Sequence, residues 1–96
     1  MKERVIEQHL RKVVKALGGE TRKVRWIGRR GCPDRMVLFP HRQWWAWVEL
    51  KSPTGKLRPE QVREIDRLDA VGHRILVFCS KQSIDSYFST FNSMRL

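Results

Sequence analysis

The stretch Gln43 to Lys51, reading Gln-Trp-Trp-Ala-Trp-Val-Glu-Leu-Lys, constrains the fold more than any other part of the chain. Aromatic and β-branched residues at this density favour a pleated, half-buried strand. Alternation puts Trp44, Ala46, Val48 and Leu50 on one face and Trp45, Trp47, Glu49 and Lys51 on the other. A second run, Arg74 to Cys79, is continuously apolar after its first residue, as expected of a strand buried on both faces. Between the two runs, Ser52-Pro53-Thr54-Gly55 makes a turn. Pro59 is suited to the first position of a helix and Glu60 to its first turn. That helix should turn Val62, Ile65 and Leu68 inward and end near Gly72. A strand, a helix and a strand in this order predict a right-handed parallel crossover.

The flanking elements follow from periodicity. Ile6, Leu10, Val13, Val14 and Leu17 recur at helical spacing between Lys2 and Leu17, and Gly18-Gly19 stops the helix. Arg22 to Ile27 alternates basic and apolar residues, as a half-buried strand would. Gly28 to Pro33 is a loop, Arg35 to Phe39 a short strand, and Pro40-His41-Arg42 closes it. A last helix from about Ser83 gathers Ile84, Tyr87, Phe88 and Phe91 on one side. The order α-β-β-β-α-β-α implies an α/β fold, a mixed sheet flanked by helices, within a single domain over residues 1–96.

Charge narrows the function. Twenty Lys and Arg stand against ten Asp and Glu, for a net charge of +10. Eleven of these basic residues and four of the acidic ones fall in residues 1–35. So strong an excess in a small domain points to an anionic partner, and phosphate backbones are the commonest. No apolar run is long enough to span a membrane, and no secretory h-region opens the chain. Cys32 and Cys79 are therefore expected as free thiols in the cytoplasm of a bacterial or phage-infected cell. The two cysteines are far apart and His9, His41 and His73 lack ligand spacing, so no zinc site is expected.

The chemistry concentrates in Pro33-Asp34 and, after fourteen intervening residues, Glu49-Leu50-Lys51. Glu49 and Lys51 share a strand face, and Asp34 opens the preceding strand. Paired strands lie about 4.8 Å apart, so the two carboxylates can share one small divalent ion. Mg2+ suits one or two carboxylates completed by waters and phosphates, with the Leu50 carbonyl as a third protein ligand. Such an ion activates water and polarises a phosphoryl group, and Lys51 beside it can stabilise developing negative charge. Taken alone, Glu-x-Lys reads as a solvated surface pair and Pro-Asp as an ordinary turn. Their convergence at the ends of two core strands favours a site.

These stretches resemble the VRR-NUC family of the PD-(D/E)xK nuclease superfamily. The matching segments are Ile6-Glu7-Gln8-His9-Leu10, Arg29-Arg30-Gly31-Cys32-Pro33-Asp34-Arg35, Val48-Glu49-Leu50-Lys51, Gly55-Lys56-Leu57 and Pro59-Glu60-Gln61. The resemblance as a whole covers residues 1 to about 88, with the family's spacing between motifs. The resemblance implies the αβββαβ nuclease core, here with an additional C-terminal helix. It implies Asp34 and Glu49 as metal-binding acids, Lys51 as the catalytic lysine, Glu7 as the first-helix acid and Gln61 as an orienting group. Glu3 is the rival to Glu7 on the same helical face. The cofactor implied is Mg2+ or Mn2+, and the partner is duplex or branched DNA. The family's small stand-alone members resemble junction-cleaving enzymes that work as homodimers, so the resemblance implies a four-way junction-like substrate and a homodimer. Arg29, Arg30 and Arg35 flank the site and are the expected phosphate contacts. Two other readings are a non-catalytic basic nucleic-acid-binding module and a structural ribosome-associated protein.

Overall fold

Ile6, Leu10 and Val14 return to one side of a helix and are fully buried there. They define α1 (Glu3–Ala16) in the computed structural model, which describes residues 2–93. The helix stops where Gly18 adopts a left-handed backbone, φ +86°. At Gly19 a side chain would come within 2.9 Å of Phe39, Val14 and the Leu38 carbonyl, so the chain turns tightly against the sheet. The remaining elements are β1 (Glu20–Lys23), β2 (Arg35–Phe39), a 3-10 turn (Pro40–Arg42), β3 (Trp44–Leu50), α2 (Pro59–Ala70), β4 (Ile75–Phe78) and α3 (Lys81–Ser93).

The strands form one mixed sheet in the order β1-β2-β3-β4. The first three are antiparallel to their neighbours, and β4 runs parallel to β3 after the α2 crossover. The core lies between the sheet and the α1–α3 pair. Val37, Phe39, Val48, Leu50 and Phe78 from the strands meet Ile6, Leu10, Val14, Ile84, Phe88 and Phe91 from the helices. Fully burying one such side chain contributes about 1.5–3 kcal/mol, so this one-sided core carries most of the stability. No helix among the described residues is long and apolar enough to cross a membrane.

Three details depart from the periodicity. The strand expected over Arg22 to Ile27 runs instead over Glu20–Lys23, with one further ladder bond from Val24 N–H to the Asp34 carbonyl (2.7 Å). Its partner begins only at Arg35, so beyond Val24 the chain leaves the sheet. Trp26 turns in to meet Trp47 (ring centroids 4.9 Å apart) and donates its indole N–H to the Pro33 carbonyl, while Ile27 is 92% exposed. Secondly, β4 is an edge strand, not one buried on both faces, and leaves Val77 largely open. Thirdly, α2 turns Gln61, Glu64 and Leu68 inward and leaves Val62 exposed. The helix is rotated because Glu64 meets a guanidinium, as described below.

Candidate active site

Antiparallel pairing of β2 with β3 sets Arg35 opposite Val48. One step further along the same register places Asp34 opposite Glu49, on the sheet face that α2 covers. Lys51 follows on that face, and its backbone N–H donates to the Phe78 carbonyl (2.9 Å), so the strand is still anchored where the charges emerge. Glu49 is only 7% exposed. Its carboxylate makes no hydrogen bond or ion pair with Lys51 or any other described residue, so the two are not a solvated surface pair.

Burial pushes the Glu49 carboxyl up to about 7, and the negative charge of Asp34 pushes in the same direction. Lys51 opposes the shift, Glu3 adds to it and Arg58 opposes it. Four charged groups from four parts of the chain thus act on one buried carboxyl. No three His, Cys, Asp or Glu side chains cluster for metal binding among the described residues. Asp34, Glu49 and the Leu50 carbonyl would offer an oxygen-only donor set, the kind a partly hydrated Mg2+ or Mn2+ takes. Leu50 is 1% exposed with its side chain in the core, which leaves only its backbone for such a role.

The loop that delivers Asp34 is fastened to α2. Gly31 has φ +76°, and a Cβ there would lie 2.5 Å from the Glu60 carbonyl oxygen, so the loop rests directly on the first turn of the helix. Arg29 crosses to Glu64 at 2.8 Å, and Arg67 reaches the same carboxylate oxygen at 2.7 Å. Glu64 is 4% exposed, yet the hydrogen bond from Arg29 holds its carboxyl below the usual range. Periodicity missed this residue, because a glutamate on a helix ordinarily reads as solvated. The available signal was the spacing of Gln61, Glu64 and Leu68, a second inward stripe competing with the apolar one.

No protein-family model matches the chain. It is 40% identical over 92 residues to "Putative nuclease p44" of Acyrthosiphon pisum secondary endosymbiont phage 1, covering 96% of this chain and 97% of the relative. A solved VRR-NUC domain superposes with a TM-score of 0.84 at 32% identity, covering 93% of this chain and 96% of that one. The chain belongs to the VRR-NUC nuclease family.

Within this VRR-NUC fold the remaining expected site residues are distributed unevenly. Glu7 forms an ion pair with Arg35, both largely buried, so each occupies the other. Glu3, one turn earlier, is the first-helix acid whose charge reaches Glu49. Gln61 is buried at the start of α2, where its side-chain oxygen accepts the Arg58 N–H at 2.8 Å. That is half of a capping box, since an Arg58 guanidinium has no acceptor with which to reciprocate. Arg29 is held by Glu64, whereas Arg30 is exposed and makes no ion pair among the described residues. Of the three tryptophans in β3, Trp47 is buried and donates to His73 Nδ1 (3.1 Å), Trp44 packs on Phe39 and Phe91, and Trp45 is 37% exposed.

Proposed function

We propose that this VRR-NUC protein is a Mg2+- or Mn2+-dependent endonuclease that hydrolyses DNA phosphodiesters at Asp34, Glu49 and Lys51. The observation that carries the reading is the facing carboxylate pair, one member buried with its carboxyl pushed up to about 7 and a lysine on the same face. Two carboxylates set against each other without a counter-ion disfavour their own ionised form, and a divalent cation relieves that cost. Asp34, Glu49 and the Leu50 carbonyl would hold the ion, which when bound supplies a lowered water pKa and polarisation of the phosphoryl group. Lys51 donates to the oxygen on which negative charge develops and orients the attacking water. Glu7 acts from α1, either on that water or by setting Arg35. Gln61 fixes the first turn of α2, against which the Asp34 loop rests. Arg29, Arg30 and Arg35 neutralise phosphates on either side of the scissile bond.

The phage origin of the relative and its nuclease name support a role on DNA in a bacterial or phage-infected cell. A branched substrate requires two coordinated cuts, which a closed two-fold homodimer provides. Phe91 belongs to the core, so the exposed face of Trp45 is the better candidate for the dimer contact. The test is cleavage of linear duplex, flap and four-way junction in Mn2+ with and without EDTA, alongside sedimentation equilibrium. EDTA-sensitive cleavage of the junction by a dimer is expected. Absence of cleavage on all substrates would leave a non-catalytic binding module, and an 11.4 kDa monomer on DNA would leave a nicking enzyme.

A further inference from the structure

The basic residues of α1 and β1 do not belong to the site just described, and they line a groove of their own. Gln8, Arg11, Lys12 and Lys15 form one stripe of α1, at spacings of three and four residues, and face Gly19, Glu20, Thr21 and Arg22 across a cleft. A smaller cleft shares Arg11, Thr21 and Arg22 with it and adds Glu7, Lys23 and Arg35. A third begins at Lys23 and reaches Arg25, Arg29 and Asp34. Shared walls make the three one track, from the C-terminal end of α1 round the free edge of β1 to the candidate active site.

The charge on the track is open to a ligand. Its two acids in the α1–β1 section are already engaged, Glu20 with Arg22 and Glu7 with Arg35. Arg11, Lys12, Lys15 and Lys23 have no acidic partner among the described residues. Arg11, Lys12 and Lys15 are exposed on the helix face opposite the buried Ile6, Leu10 and Val14, so they carry no packing role. Four unpaired cations along one groove attract a linear polyanion and hold it by counter-ion release. From Glu3, whose charge reaches Glu49, to Lys15 the helix rises about 18 Å, the length of about five base pairs.

We propose that the α1–β1 groove is a second phosphate-binding surface that holds the arm of duplex DNA leading away from the scissile bond, with Arg11, Lys12 and Lys15 as its principal contacts. The inference rests on DNA being the substrate, and it adds a surface distinct from Arg29, Arg30 and Arg35. It gives the protein a reason to prefer substrates with a duplex arm on one defined side of the cut.

The test is fluorescence anisotropy of a labelled duplex of about 24 base pairs with the triple variant Arg11→Ala, Lys12→Ala, Lys15→Ala, in EDTA over a range of salt. Each phosphate contact contributes about 0.9 to the slope of log K against log salt, so the slope should flatten by about 2–3 and Kd at 0.15 M should rise at least about tenfold. Circular dichroism should report an unaltered fold. Lys12→Ala and Lys15→Ala separately should each remove about one contact's share of the slope. An unchanged slope and Kd in the triple variant would overturn the proposal, as would a fall in the cleavage rate at saturating protein with no loss of affinity. A wild-type protein that binds through this groove but never cleaves would keep the surface and remove the nuclease reading, so the two claims fail separately.

Discussion

Arg29 on the Gly28–Pro33 loop and Glu64 on α2 meet at 2.8 Å, and this contact ties the segment carrying Asp34 to the helix that covers the site. Glu64→Gln should therefore loosen the loop and leave Arg29 without a counter-charge. Faster amide exchange over residues 28–34, a lower melting temperature and slower cleavage are expected together. Because Arg67 also reaches Glu64, Arg29→Ala should cost less stability than Glu64→Ala. A double-mutant cycle measures that difference, and equal costs would show that Arg67 does not compensate.

The raised Glu49 carboxyl predicts pH dependence of two kinds. A cation must displace its proton, so Mn2+ affinity measured by calorimetry should increase as pH rises through about 7 and level off above it. For stability without metal the sign is the reverse. The folded state holds this proton more tightly than the unfolded chain, so the contribution to folding is full below the ordinary carboxyl range and is lost as pH rises to about 7. Glu49→Gln should flatten that decline and be more stable than wild type at pH 8 in urea melts.

Lys51→Ala should lower the cleavage rate by on the order of 10²–10³ and leave folding intact, and because Lys51 opposes the upward shift at Glu49, Mn2+ binding should survive but move to higher pH. Its backbone bond to Phe78 survives the truncation, and its side chain supports no packing contact in the core. Unfolding of this variant would make the lysine structural.

The two acids of α1 should separate by readout. Glu3→Gln removes a charge felt at Glu49 and should lower the pH at which Mn2+ binds. Glu7→Gln frees Arg35 and should chiefly alter the rate and the DNA salt dependence. Identical effects of the two variants on metal binding would contradict this division.

Much of this arrangement is legible in the chain. The alternation of Trp44 to Lys51 gives the strand face of Glu49 and Lys51, and the apolar period of α1 and α3 gives the core. Less legible is whatever depends on where a partner strand ends. Arg22 to Ile27 alternates as a strand should, but β2 does not extend to meet it past Asp34, and Trp26 is recruited by Trp47 instead. Polar pairing across long separations is equally hidden. Arg29 and Glu64 are 35 residues apart, and nothing local to either marks Glu64 as buried. The ion pair of Arg35 with Glu7, 28 residues away, is likewise unmarked by anything local to either residue.

The central claim is that Asp34 and Glu49 together hold the cation that permits phosphodiester cleavage. Single-turnover cleavage of an end-labelled four-way junction by Asp34→Asn, at saturating protein in Mn2+, tests it most directly. Losing one of two carboxylates forfeits several kcal/mol of transition-state stabilisation, so the rate should fall by about a thousandfold. DNA affinity should hold or rise, because a negative charge facing the phosphates is gone. Cleavage at the wild-type rate would contradict the account.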